Sequence, residues 1–159
     1  MIIISSIRIG GEGIVADRVI LSNTAQLLPE RLKSTVTFVA GTTGKIATTK
    51  IADVTGVVAV SVFAVCGTSL VGTSGTIEVG TALTSGGLIA QTTATDIDAN
   101  EIWHDASPDK SVELTSILTQ SIVTQDINYK IATTALSAGV VTFYILWTPI
   151  SNDGNVKLV

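Results

Sequence analysis

The sequence predicts an all-β protein, an antiparallel β-sandwich, on the strength of three observations. Hydrophobic residues make up 46% of the 159 residues and aromatic residues only 4%, so Val, Ile, Ala and Leu dominate together with Thr, which favours strands over helices. Short β-branched runs alternate with turns at regular spacing, which is typical of a sandwich or barrel. The run 140–147 alternates large apolar and polar residues, as a strand with one buried face does.

The length fits a single domain with a sizeable core that needs no cross-links. We divide the chain into residues 1–33, an N-terminal hairpin or arm with a short helical turn, and residues 34–159, the sandwich. In the arm, two β-branched runs at 2–9 and 14–21 flank a glycine-rich turn, which predicts a hairpin. A short helix at 25–28, ended by the following proline, is the one helix that the sequence predicts.

From residue 34 onward the pattern is strand, turn, strand. We predict strands at 35–40, 45–52, 57–66, 75–79, 87–91, 101–104, 113–124, 127–133 and 140–147. The run 57–66 is apolar at both alternating sets of positions, so this strand must be central or must face both the core and a neighbouring subunit. Val58, Val60 and Val62 are therefore candidate oligomer contacts.

The final strand supplies the predicted core floor. Its large residues at alternating positions share one face: Val141, Phe143, Ile145 and Trp147. We expect Phe63 to lie in the same core as Trp147. Cys66, the single cysteine, lies in an apolar run and is predicted to be a small core residue that forms no disulfide.

The charge pattern argues against nucleic-acid binding, which relies on Lys and Arg to neutralise phosphates. The formal net charge is -4, and no Lys or Arg occurs between Lys50 and Lys110, where seven acidic residues lie. The three arginines all lie in the first 33 residues: Arg8, Arg18 and Arg31. We expect this basic N-terminal region to meet a different surface from the acidic middle.

Membrane insertion is not expected, because the longest apolar run, 57–66, is far shorter than the roughly 20 residues of a membrane helix. The first residues lack the basic leader of a signal peptide, so we expect a soluble protein made in the cytoplasm. A G-x-G-x-x-A string at 11–16 matches part of a dinucleotide fingerprint, but the β-branched residues after it favour a hairpin turn. No cofactor is predicted.

Asp96, Asp98 and Glu101 form a weak candidate calcium site, because their D-x-D-x-N context resembles the start of a calcium loop. Glu101 occupies the position where an EF-hand requires glycine, so only an irregular site is open, and the alternative is a solvated turn at a sheet edge. His104 is the single histidine, and there is no G-x-S-x-G turn for a nucleophile. We therefore predict no catalytic residues and no enzymatic activity.

Four segments of the chain carry a family resemblance: residues 75–80, 88–98, 101–105, and 141–144 leading to Trp147. The stretch 57–150 that contains them resembles small structural proteins of tailed bacteriophages, in particular capsid decoration, or cement, proteins. In such proteins a strand ends in a V-G-T turn, an L-I-A-x-T segment follows, and an aromatic strand closes the sandwich.

The resemblance implies a virion component, assembled in the host cytoplasm, with a jelly-roll-like sandwich. It would form a homo-oligomer, expected to be a trimer, on the lattice of the major capsid protein and stabilise the head. The arm with Arg8, Arg18 and Arg31 is a candidate capsid contact. A tail, adaptor or receptor-binding module of a phage particle is the alternative, and a secreted or enzymatic domain is a third possibility.

Overall fold

The computed structural model describes residues 29–159. These residues form two five-stranded antiparallel sheets that pack face to face, so the predicted all-β antiparallel sandwich is confirmed. The jelly-roll arrangement stays a prediction. The predicted hairpin at 2–21 and the predicted helix at 25–28 lie outside the described residues.

Ten strands make up the two sheets. In chain order they are β1 Glu30–Thr37, β2 Ala47–Thr55, β3 Val58–Val71, β4 Thr76–Gly80, β5 Ile89–Thr93, β6 Ile102–Trp103, β7 Ser121–Val123, β8 Ile127–Ala132, β9 Ala138–Pro149 and β10 Asn155–Leu158. Sheet A has the order β1-β9-β3-β6, with β7 also paired to β3. Sheet B has the order β10-β2-β8-β4-β5. Two short 3-10 turns, Ala94–Asp96 and Thr115–Ile117, complete the elements of residues 29–159.

Strand β1 begins earlier than the predicted start of the sandwich. Glu30 lies opposite Trp147 and Lys33 lies opposite Tyr144 in the ladder between β1 and β9. Residues 30–33 therefore belong to the sandwich and not to the N-terminal arm. Because the β-branched and polar residues of 30–37 alternate in burial, this segment forms an ordinary edge strand with one face on the core.

The long strand predicted at 113–124 is wrong in its first part. The chain there forms the 3-10 turn Thr115–Ile117 and only the three-residue strand β7. The Ser61 hydroxyl lies 3.1 Å from the Leu118 carbonyl oxygen and 3.0 Å from that of Thr119, and it donates to them. A side chain of β3 thus binds this segment to the outer side of sheet A, where the segment does not pair as a strand.

The core floor predicted from the last strand is confirmed. Alternate residues of β9 are buried, namely Val141, Phe143, Ile145 and Trp147. Phe143 stacks on Tyr129 of β8 with ring centroids 5.9 Å apart, so the aromatic rings join the two sheets at their centre. Cys66 is also buried in this core, as predicted.

Phe63 does not share that core with Trp147. In the ladder between β3 and β9, Val60 lies opposite Trp147 and Phe63 lies opposite Tyr144. Since side chains alternate between the faces of a strand, Phe63 points to the outer side of sheet A. The expectation that Phe63 and Trp147 share one core is therefore wrong, because the two side chains lie on opposite faces of sheet A.

Candidate functional site

The outer faces of the two sheets differ in chemistry. On sheet B, the Lys50 ammonium lies 2.8 Å from Asp53 and 2.7 Å from Asp126. A second ion pair on that face joins Lys130 to Glu78 at 3.0 Å, across neighbouring strands. The outward positions of β3 and β9 in sheet A include four aromatic or aliphatic side chains beside the polar Ser61 and Thr142: Phe63, Val65, Tyr144 and Leu146. Sheet A therefore presents the face suited to a protein partner.

An aromatic pair lies at the middle of this apolar face. Tyr144 of β9 lies opposite Phe63 of β3 on one side and Lys33 of β1 on the other. The two rings stack with centroids 5.0 Å apart and planes 8° from parallel. The Lys33 ammonium lies 6.0 Å from the Tyr144 ring centroid, at the limit of a cation–π contact. Pairing between the strands thus holds the two aromatic rings against each other, with the Lys33 ammonium beside the Tyr144 ring.

The rows on either side extend the same face. Leu146 lies between Arg31 of β1 and Ser61 of β3. In the row on the other side, the Thr35 and Thr142 hydroxyl oxygens are 3.0 Å apart and form a hydrogen bond between β1 and β9. The outer side of sheet A is therefore apolar around Phe63 and Tyr144 and basic along β1, and the segment at Leu118 and Thr119 covers it at Ser61.

Three large aliphatic side chains are almost fully exposed near the opposite margin of sheet A. Val112 is 81% exposed, Leu114 is 75% exposed and Ile122 is 73% exposed. Ile122 belongs to β7, where it lies opposite Ala59 of β3. Exposed apolar side chains on neighbouring parts of a surface are typical of an interaction site.

The chain has no match among protein-family models, curated proteins or solved structures. The fold is therefore established by the structure of this chain and not by similarity to a relative. Its surface chemistry is the basis on which a function can be assigned.

The predicted contact residues of β3 need correction. Val58 and Val60 are 0% exposed and Val62 is 8% exposed, and all three pack in the core. They cannot contact a partner, because alternation points them toward sheet B. The residues of β3 that point outward on the same strand include Phe63 and Val65.

The arginines have different outcomes. Arg31 is exposed on β1 and lies one row from Lys33 on the outer side of sheet A. It therefore remains available as a contact residue. Arg8 and Arg18 lie outside the described residues, and their role as capsid contacts stays a prediction.

The candidate calcium site is not formed. Asp96 ends the 3-10 turn Ala94–Asp96, and the Glu101 carboxylate accepts a hydrogen bond of 2.7 Å from the backbone N–H of Asp98. Within residues 29–159 no group of three or more His, Cys, Asp or Glu side chains is arranged to hold a metal ion. Glu101 stabilises the turn that precedes β6, and the set does not converge as calcium ligands must.

His104 lies among carboxylates. Its Nε2 is 3.5 Å from Glu113 Oε1, and its Nδ1 is 3.9 Å from Asp105 Oδ2. The same Glu113 oxygen is 3.7 Å from the Lys110 ammonium. These contacts tie together the two ends of segment 104–113, which returns beside β6 through the hydrogen bond from the Ile102 N–H to the Lys110 carbonyl.

Across residues 29–159 the structure has no helix long and apolar enough to cross a membrane.

Proposed function

We propose that this chain is a non-enzymatic structural protein of a tailed-bacteriophage particle. It self-associates as a trimer, sits on the lattice of the major capsid protein and stabilises the head. The observation that carries the proposal is the chemical difference between the two outer faces of the sandwich. A monomeric module has no need of an aromatic and aliphatic outer face on one sheet beside a charged one on the other, whereas an assembled module does.

The side chains on the outer side of sheet A and near its margin support self-association in particular. Phe63 and Tyr144 form a rigid aromatic pair, and aromatic residues are enriched where proteins bury surface against each other. Leu114 and Ile122 are at least 73% exposed, which is costly for side chains of this size unless a partner covers them. The family resemblance suggests the phage particle as the setting, and this surface supports contact between copies of the chain.

The partners follow from the same surface. Copies of the chain contact one another through sheet A, and the N-terminal residues with Arg8 and Arg18 contact the capsid. A net charge of -4 makes nucleic acid an unfavourable partner. The protein resides in the virion after assembly in the host cytoplasm.

The first test is the solution mass of the purified full chain by light scattering. We expect three times the mass of one chain. The double variant Leu114→Glu/Ile122→Glu should be monomeric, because each charge would be buried without a partner in the interface. Thr48→Glu is the matched control, since Thr48 is exposed on the outer side of sheet B opposite Lys130, and this variant should keep the wild-type mass.

The second test is co-sedimentation of the protein with undecorated shells. We expect the wild type and Thr48→Glu to pellet with assembled shells and not with unassembled capsid protein. A wild-type monomer that ignores shells would contradict the decoration role. A trimer that ignores shells but binds the host cell surface would favour the tail, adaptor or receptor-binding alternative.

A further inference from the structure

The two margins of sheet A carry opposite charge. On β1, Arg31 and Lys33 are exposed and lie on the outer side of the sheet. We name them the basic margin. At the other side of the sheet, exposed aspartates precede and follow β6, and we name them the acidic margin: Asp96, Asp98, Asp105 and Asp109.

The fold brings the four aspartates to this margin although they are spread over fourteen positions of the sequence. The segment before β6 runs beside β3, because Leu70 N–H donates to the Ile97 carbonyl and Cys66 N–H donates to the Glu101 carbonyl. The segment after β6 turns back so that the Lys110 carbonyl accepts from the Ile102 N–H. Both segments thus flank the same edge of sheet A.

These charges are not neutralised within the part of the chain that the structure describes. The ion pairs of Lys and Arg in residues 29–159 involve Lys50, Lys110 and Lys130, and they use other carboxylates. Neither Arg31 nor Lys33 takes part in one. The single pairing of an acidic-margin residue is that of Asp105 with His104, at 3.9 Å. Both margins therefore keep charge that a partner can neutralise.

The two margins also differ in backbone pairing. Strand β1 pairs with β9 on one side, and its other edge faces no strand of residues 29–159. Such an edge is a surface on which another chain can dock. The acidic margin is covered, because β6 is only two residues long and the returning segment at Lys110 pairs with it. The two surfaces differ in shape as well as in charge.

We propose that copies of this chain associate head to tail, with the basic margin of one copy against the acidic margin of the next. The inference rests on the proposed self-association and adds its direction. A two-fold contact through one margin would place like charges opposite each other, which is unfavourable. A contact between two different patches avoids this and closes into a ring when the rotation permits, as a trimer requires.

Charge reversal tests the direction. Arg31→Glu/Lys33→Glu makes both margins acidic, and Asp96→Lys/Asp98→Lys/Asp105→Lys/Asp109→Lys makes both margins basic. Each variant alone should raise the dissociation constant of the oligomer by roughly 100-fold or more, because like charges then meet at every contact. The chain that carries all six substitutions has both margins reversed, so the charges are again complementary and the oligomer should return.

The matched control is Lys45→Glu/Lys157→Glu, which changes the net charge as much as the basic-margin variant does, at exposed positions of sheet B and the turn before it. It should keep the wild-type mass. Circular dichroism and thermal unfolding of every variant establish that the monomers are folded, and light scattering over a concentration series gives the dissociation constants.

The outcomes separate this inference from the proposed function. A wild-type monomer would overturn the self-association itself. A wild-type oligomer that both single-margin variants preserve would overturn only the head-to-tail arrangement and leave the proposed function standing. Failure of the sixfold variant to recover the oligomer, with both single-margin variants monomeric, would also overturn the arrangement, because complementarity would then not be the cause.

Discussion

Phe63 and Tyr144 stack face to face on the outer side of sheet A, with ring centroids 5.0 Å apart and planes 8° from parallel. One position earlier in the same strand, Phe143 stacks on Tyr129 inside the sandwich, with centroids 5.9 Å apart. Two adjacent aromatic residues of β9 therefore have separate tasks. Phe143 joins the two sheets, and Tyr144 builds the face that we assign to assembly.

The division between these two residues can be measured. Phe143→Ala should lower the free energy of unfolding by about 3–5 kcal/mol, because it leaves a cavity among fully buried side chains. Tyr144→Ala should cost clearly less in the monomer, since its ring is only partly buried. Urea denaturation of both variants under conditions where the chain is monomeric provides the comparison. Equal losses would mean that the outer face is itself part of the core.

Gly139 has a backbone conformation that residues other than glycine rarely adopt. It has φ of +124°, and an added Cβ would meet the side chain and backbone of Leu70. Gly139→Ala should therefore destabilise the fold by roughly 1–3 kcal/mol or more. Gly67→Ala is the control, because the nearest atom to its Cβ would be 3.7 Å away. Thermal unfolding should show a lowered midpoint for the first variant and little loss for the second.

Burial raises the pKa of the Cys66 thiol from 9.0 to about 11, because the thiolate would lose its hydration. The thiol also donates to the Thr68 carbonyl at 3.1 Å. Native protein at pH 8 should react with a thiol reagent far more slowly than unfolded protein. Rapid labelling of the native chain would show that the core opens around β3.

The same thiol has a consequence for stability at high pH. Between pH 9 and about 11 the unfolded chain loses the Cys66 proton while the folded chain keeps it. The contribution of this group is therefore complete below the unfolded pKa and is lost as pH rises through the folded pKa. Cys66→Ala should flatten that part of the pH profile. An unchanged slope would assign the loss to other groups.

Asp126, which directly precedes β8, binds two residues of β2 in sheet B. Its carboxylate accepts from the Lys50 ammonium at 2.7 Å and from the Val54 N–H at 3.0 Å. The hydrogen bond from the Lys50 side chain, followed by that from Val54, lowers the pKa of Asp126 below 3.8. Its contribution to stability is thus present above pH 3.8 and is lost as pH falls through the lower folded pKa.

Asp126→Asn should make the acid limb of the stability profile less steep, because the neutral side chain keeps an acceptor but not the titration. Asp153→Asn is the control, since Asp153 is exposed and has no Lys or Arg partner in residues 29–159. Chemical denaturation at a series of acidic pH values measures both. Identical acid limbs for the wild type and Asp126→Asn would show that the titration of Asp126 does not contribute to the pH dependence of stability.

Much of the fold follows from local patterns in the sequence. The alternation in 140–147 predicted which side of β9 is buried, because its two sets of positions differ in hydrophobicity. Cys66 and most of the strands were predicted for similar reasons. The conformation of segment 113–124 was not predicted, because it depends on a hydrogen bond from the Ser61 hydroxyl of β3. A local sequence pattern does not show which distant residue will bind a segment.

What the sequence by itself determined is the class of the fold and the approximate position of most strands, since side-chain alternation and turn residues act over a few positions. What only the tertiary structure decided is which side of β3 is inside. Both sets of its positions are apolar, so the register with β9 alone separates the buried Val58, Val60 and Val62 from the outward Phe63 and Val65. The acidic margin depends on tertiary structure in the same way. Asp96 and Asp109 lie on either side of β6 in the chain, and the pairing of β6 with β3 brings both to one edge of sheet A.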